Sequence, residues 1–342
     1  MQRERGMEAL GPGTYRLYGV GIATTAAVVG PKEGRGPLGG YFDRVWPDDE
    51  HGQATFEAAE LALATEAATV AVERAGLEWE QVEAVLGGDL LDQLITTNFA
   101  GRAHGRPLLG VFAACASFTE ALGLGACLIA GGGPRTVLAM AASHHYAAER
   151  QFRFPTELGY QRLPTASWTA TAAGATVLTA DVPPGGLIVE AVTFGRVVDY
   201  GQKNPNDMGS AMAPAAADTI LRHLQATGQR PGDFDRIVTG DLGAVGVPLA
   251  AEAARRSGTE IAPVLDDCGL LLYDRDDEDV HNGGSGAGCS AAVFNAYLAT
   301  RLLGGSWRHL LLAATGALFS PTTYRQGESI PGICHAVEIR RG

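Results

Sequence analysis

Apolar residues along this chain change their period in a fixed order, and that order predicts the architecture. From Gln53 to Arg74 an Ala-rich pattern runs at helical spacing, and Gly76 follows as a C-cap, which predicts a helix. Val82 to Gly88 is a short buried strand ending in Gly87-Gly88-Asp89-Leu90, and Leu108 to Ala113 is a second strand that delivers Cys115. From Ser117 onward, Phe118, Leu122, Gly125 and Ile129 fall at i, i+4, i+7 and i+11. Ala121, Leu124 and Leu128 between them leave almost no polar face, so this helix belongs inside the protein. It ends at the run Gly131 to Gly133, and Arg135 to Ser143 is a further strand leading to His144.

The second half repeats this order. Ala215 to Thr227 reads as a helix closed by Gly228, and Asp235 to Thr239 as a strand ending in Gly240-Asp241-Leu242. A second cysteine, Cys289, opens another apolar helix, and Leu310 to Thr315 is the closing strand. Asp89 corresponds to Asp241 and Cys115 to Cys289, the mark of an internal duplication with a period far longer than in solenoid repeats. The expected fold is α/β, built from two duplicated halves, residues 1–182 and 183–342, each a helix-covered sheet. If each half buries its own apolar helix, the two helices meet in the middle and give five layers, αβαβα. Upstream, the first dozen residues read as a loose terminus, Tyr15 to Val29 as a strand or hairpin, and Gly30 to Gly40 as a loop. The GVGIA inside that strand lacks the third glycine and the following helix of a dinucleotide site, so no cofactor is expected.

Charge narrows the function classes. A net charge of −12 excludes general affinity for nucleic acid or anionic lipid, so an anionic ligand needs a local pocket. The five cysteines show no CxxC spacing, which argues against structural zinc, and their odd number without a signal peptide suggests a reducing compartment. The acidic run Asp274 to Asp279 lacks calcium-loop spacing, so no metal site is expected. The apolar stretch Leu108 to Ala142 is interrupted by Glu120, Gly131 to Gly133 and Pro134, too soon to span a bilayer. Cys115, in GVFAACAS, stands where a helix start offers free N–H groups and a positive dipole end, both favouring thiolate or a bound anion. The alternative is a small core residue.

The duplicated pattern with a cysteine opening a buried helix resembles the thiolase and ketoacyl-synthase superfamily. Within it, VGPKEGRGPLGGYFD, GGDLLDQ, ERQFRFPTE, DMGSAMAPAAADTI, TGDLGAVG, DDCGL and ESIPGICHAVE resemble the stage V sporulation protein AD family over nearly the whole chain. The resemblance implies a thiolase-like homodimer that acts in uptake of dipicolinic acid, pyridine-2,6-dicarboxylate, into the developing spore and binds it, free or as its calcium complex. It also implies partners among the other stage V sporulation A membrane proteins, and a peripheral place on the inner spore (forespore) membrane.

A condensing enzyme pairs its thiolate with a histidine and with a second histidine or asparagine. In this chain the loops where the superfamily carries them read TGDLGAVG and GGSGAGCS, placing Gly240 and Asp241, and Ser285 or Gly288, at those positions. The expectation is therefore a retained pocket without catalysis; the alternative is an acyltransferase using Cys115 with another base. The candidate ligand-binding residues are Cys115, Cys289, Arg150, Arg153, His144, His335, Asp89, Asp241 and Asp267. Arg150 and Arg153, with Phe152 and Phe154 alternating, offer forks and an aromatic face, unless they are surface pairs. The two GDL aspartates are expected to cap the next helix or turn, whereas Asp267, followed by an apolar run, is kept for the site. His144 stands near the pocket mouth or in the core, and His335 lies on the last strand beside the nucleophile.

Overall fold

A computed structural model describes residues 5–152, 162–276 and 280–342. Ten strands make the framework: β1 Gly21–Val29, β2 Ala84–Gly88, β3 Leu108–Gly110, β4 Thr136–Ser143, β5 Ala172–Thr179, β6 Leu187–Phe194, β7 Arg236–Thr239, β8 Leu265–Asp267, β9 His309–Ala317 and β10 Gly332–Arg341. The N-terminal half orders them β1-β5-β4-β2-β3 and the C-terminal half β6-β10-β9-β7-β8. In each half the first two neighbours pair antiparallel and the last three strands run parallel, so the duplication in the sequence is a duplication in topology. A short antiparallel contact, Leu187 opposite Ile22, joins the two sheets.

The principal helices are α1 Phe56–Arg74, α2 Ile95–His104, α3 Ser117–Ala130, α4 His145–Phe152, α5 Met208–Thr227, α6 Gly243–Arg256 and α7 Ala287–Val293. Helix α7 runs on through a π turn, Phe294–Leu298, where Asn295 accepts from Thr176. Helices α1 and α2 cover one sheet, α5 and α6 cover the other, and α3 with α7 lies between, which gives the five layers. Three apolar clusters fill the spaces, and the central one holds Phe118, Leu122 and Ile129 of α3 with Ala291 and Phe294 of the facing helix. No helix among the described residues is long and apolar enough to cross a membrane.

Three boundaries differ from the sequence expectation. The N-terminus is not loose from Gly6 on: Gly6–Gly11 pairs with Thr14–Tyr18 across the Pro12-Gly13 turn, and that hairpin adds to β6. Helix α5 begins at Met208, not Ala215, because Asp207 accepts from Ser210 N as N-cap and Pro214 is carried inside the helix. The second strand stops at Gly110, since Ala114 turns the chain in the left-handed region (φ 50°) before α3.

Candidate functional site

Strand ends and loops from both halves converge on one sulfur. Cys115 precedes α3 by two residues, and its Sγ lies 3.7 Å from Ser285 Oγ. Ser285 donates to Asp241 Oδ2 at 2.7 Å, and Thr315 donates to Asp241 Oδ1 at 2.7 Å. All four side chains are buried. Asp241 arrives from the end of β7, Thr315 from β9 and Ser285 from the turn before α7, so each comes from the C-terminal half while the cysteine comes from the N-terminal half.

This arrangement opposes ionisation of the thiol. Burial pushes Cys115 well above the ordinary thiol range, and the charge of Asp241 and a hydrogen bond to it push further in the same direction. Asp241 is itself raised, first by burial, against the hydrogen bonds from Ser285 and Thr315. The helix-start effect expected to favour thiolate is therefore outweighed: burial, with a carboxylate beside it, costs the thiolate more than the dipole returns.

A cavity opens in front of the sulfur. Its described walls are Leu90, Phe112, Phe152, Met208 and Phe319, with Ala114, Ala148 and Ala317 between them, and Cys115, Thr169, Ser285 and Glu149 as polar points. No histidine, lysine or arginine is among the described residues lining it. Glu149 is half of a largely buried ion pair with Arg162 at 3.2 Å. Position 288 admits no side chain, because a Cβ there would lie 2.0 Å from the Ala172 carbonyl oxygen. Ser285 is therefore the residue that faces the sulfur from that loop.

The remaining candidates lie elsewhere. Asp89 behaves as expected for a cap, accepting from Leu91 N, Thr97 N and Thr97 Oγ1 near the start of α2. Asp241 does not cap, which corrects its half of that expectation. Asp267 is also corrected: it is the N-cap of Cys268–Leu272, and its two oxygens accept from Leu270 N, Gly243 N, Leu242 N and Thr239 Oγ1. Three of these donors belong to two helix starts and the fourth to the end of β7, all outside the cavity lining. Burial nevertheless raises it to about 7 against those donors.

Cys289 is buried inside α7 and faces the Gly240 carbonyl at 3.7 Å, away from the cavity. His144 is a core histidine, hydrogen-bonded through Nε2 to the Asp49 carbonyl at 2.8 Å and stacked on Phe56. Burial lowers His335 to about 4, so it is neutral, and its Nδ1 accepts from Gly195 N. Arg150 makes a surface pair with Glu57, and the alternation expected of its segment is instead the end of helix α4, from which Phe152 reaches the cavity. Arg153 and Phe154 lie outside the described residues.

Sequence reasoning missed Thr315, Phe112, Met208 and Phe319 as site components. Thr315 had a signal, since it stands on the strand equivalent to the one ending at Ser143. Phe112 stands only three residues before Cys115, whereas Met208 and Phe319 come from segments far from it in sequence and carried no signal.

Comparison with solved structures agrees with the architecture. The chain is similar to a tetronic acid condensing enzyme, AbyA1 (TM-score 0.60, 18% identity, 94% of this chain and 99% of the other). It is also similar to 3-oxoacyl-[acyl-carrier-protein] synthase III from Aquifex aeolicus VF5 (0.59, 16%, 94% and 99%). Cerulenin-bound OleA of Xanthomonas campestris gives 0.62 at 14% identity, over 94% and 96%. At these identities the likeness shows the fold alone, which is thiolase-like. A closer relative is stage V sporulation protein AD of Bacillus subtilis (strain 168), 41% identical over 322 residues, 94% of each chain. The family model described as Stage V sporulation protein AD matches residues 17–340. With that match over nearly the whole length, the chain belongs to the stage V sporulation protein AD family, a family of sporulation proteins.

Proposed function

We propose that this protein is a non-catalytic binder of dipicolinic acid that acts in its uptake into the developing spore. The observation that carries the reading is the carboxylate behind the sulfur. A condensing enzyme needs a thiolate and an imidazole to trade protons; here burial, and after it the charge of Asp241, holds the thiol protonated, and the described wall of the cavity offers no imidazole. What remains is a slot with aromatic and apolar faces, suited to a flat ring.

The electrostatics favour the calcium complex over the free dianion. Glu149 in the wall is balanced by Arg162, but Asp241 stands behind the sulfur with no cationic side chain among the described lining residues, so a bare dicarboxylate entering there meets like charge. The calcium chelate of a dianion is neutral, so it avoids that repulsion while keeping the ring.

Two further parts of the proposal follow from surface features and the family. The strand β3 is an edge, and Leu109, Phe112 and Phe99 are 48%, 50% and 39% exposed beside it. Exposed apolar side chains along the open edge of a strand fit a second copy of this chain across a two-fold axis. The homodimer so formed would work peripherally at the forespore membrane with the other stage V sporulation A proteins.

The test is a calorimetric titration with dipicolinate, alone and premixed with calcium. Saturable heat, stronger with calcium and weakened about tenfold by Phe319→Ala or Cys115→Ala, supports the reading. No saturable heat in either form overturns it. Incubation with acyl-CoA is the second arm: a mass increase on the protein that Cys115→Ala removes favours an acyltransferase instead.

A further inference from the structure

A second constellation lies at the opposite end of β9 from the sulfur site. His309 begins that strand and Thr315 is six residues on, which separates the two by about 20 Å. His309 Nε2 lies 2.6 Å from Glu338 Oε1, and Gln229 Nε2 donates to the same oxygen at 2.7 Å. One ring nitrogen of His309 and one carboxylate oxygen each of Glu190 and Glu338 fall within 4.8 Å of one another. From the other side, His223 Nε2 comes to 3.2 Å from Glu338 Oε2.

The hydrogen bonds at the far side of each ring show which atoms point inward. His309 Nδ1 faces the Asp233 carbonyl at 2.8 Å. A carbonyl only accepts, so that nitrogen carries a hydrogen, and Nε2 is the ring atom aimed at Glu338. Two acceptors at 2.6 Å repel unless a proton or a cation stands between them. His223 Nδ1 is engaged by Thr193 Oγ1 at 2.9 Å, which leaves its Nε2 as the inward atom. That Nε2 belongs to a completely buried side chain and makes no hydrogen bond, despite its closeness to Glu338.

We propose that His309, Glu338 and Glu190, with His223 completing the set, form a site for a divalent first-row transition ion such as zinc. Two nitrogens and two carboxylates suit zinc and exclude a preference for calcium or magnesium, which take oxygen. The hydrogen bonds at Nδ1 are the outer contacts that commonly orient metal-binding imidazoles. Without an ion, a proton shared between His309 Nε2 and Glu338, and the Arg340 guanidinium 3.4 Å from Glu190, supply the positive charge. On binding, the proton leaves to solvent, Arg340 swings out, and the 2.6 Å contact opens to roughly 3.3 Å, the spacing of ligands on a tetrahedral ion. The ion would tie β6, β9, β10 and α5 together, a structural role.

The test titrates the metal-stripped full-length protein with zinc by calorimetry and with cobalt(II) by visible absorption. The expected result is one saturable ion per chain, with cobalt bands of nitrogen and oxygen ligation. Glu190→Gln and His309→Gln should each weaken binding about tenfold or more, and Cys115→Ser should leave it unchanged. Glu190 is only half-buried, so its variant keeps the fold even if the His309 variant does not, and circular dichroism verifies both. No saturable ion, unchanged affinity in Glu190→Gln, or a thiolate-to-cobalt charge-transfer band each overturns the proposal.

Discussion

Asp241 Oδ2 accepts from Ser285 Oγ at 2.7 Å, and Ser285 Oγ in turn lies 3.7 Å from Cys115 Sγ. The carboxylate therefore acts on the thiol both by charge and through hydrogen bonding. Asp241→Asn removes the charge and keeps an oxygen that can accept. The thiol should then fall toward its ordinary range while staying raised by burial, because burial is the larger cause. Alkylation by iodoacetamide at about pH 8, followed by mass spectrometry, should be about three- to tenfold faster at Cys115 in the variant. An unchanged or slower rate would show that Asp241 does not restrain the sulfur.

Ser285→Ala tests the same chain from its middle. The substitution leaves Asp241 Oδ2 buried without its hydroxyl donor, and an unmatched buried acceptor costs about 1–3 kcal/mol. Urea unfolding should show that loss. Thr315→Val should give a loss of similar size, since it strips the donor from Oδ1.

The asymmetry between Asp89 and Asp241 marks how far the sequence could be read. The duplicated order of strands and helices was legible because it rests on local period and glycine punctuation, which the topology reproduces strand for strand. The two GDL aspartates are indistinguishable at that level. Asp89 caps because Leu91 N and Thr97 N lie close along the chain, while Asp241 meets Ser285 and Thr315, 44 and 74 residues away. Asp267 was misjudged for the same reason in reverse: the apolar Cys268–Leu272 segment is a short helix, and the second helix start it holds, Leu242 and Gly243, arrives from 25 and 24 residues upstream.

Asp267 should accordingly behave as a structural residue. Its carboxylate accepts three hydrogen bonds at two helix starts and a fourth from Thr239 Oγ1, and an amide can keep only half of them because its NH2 faces donors. Asp267→Asn should cost about 1–3 kcal/mol in urea unfolding, with little change in ligand affinity in the fraction that remains folded. A variant of normal stability that loses binding would return Asp267 to the site.

Glu33 carries a pH prediction. Its Oε1 accepts from Thr171 N and Tyr273 Oη, its Oε2 has no partner, and burial raises it from 4.5 to about 7. Below about pH 4.5 both folded and unfolded chains hold the proton, and the group is silent. As pH rises from there to about 7 the unfolded chain ionises first, so stability falls across this window and levels off above it. The full effect is roughly 3 kcal/mol. Glu33→Gln keeps the acceptor and removes the titration. The wild type should lose stability relative to the variant between about pH 4.5 and 7; parallel curves would exclude the shift.

The edge at β3 makes the last prediction. Leu109 and Phe112 bracket the end of an edge strand whose outer side is open, and Phe112 also forms part of the cavity wall. If two copies join here, strand pairing buries Leu109 and packs the partner's surface against the outer side of Phe112. Leu109→Glu then sets a like charge opposite itself across the two-fold axis, a penalty absent from the monomer, where the side chain is solvated. Light scattering should report a dimer for the wild type and a monomer for the variant, with circular dichroism unchanged. Because Phe112 loses its outer support in the monomer, dipicolinate affinity should fall with dissociation. A wild type that is monomeric at all concentrations measured would remove the second copy from this edge.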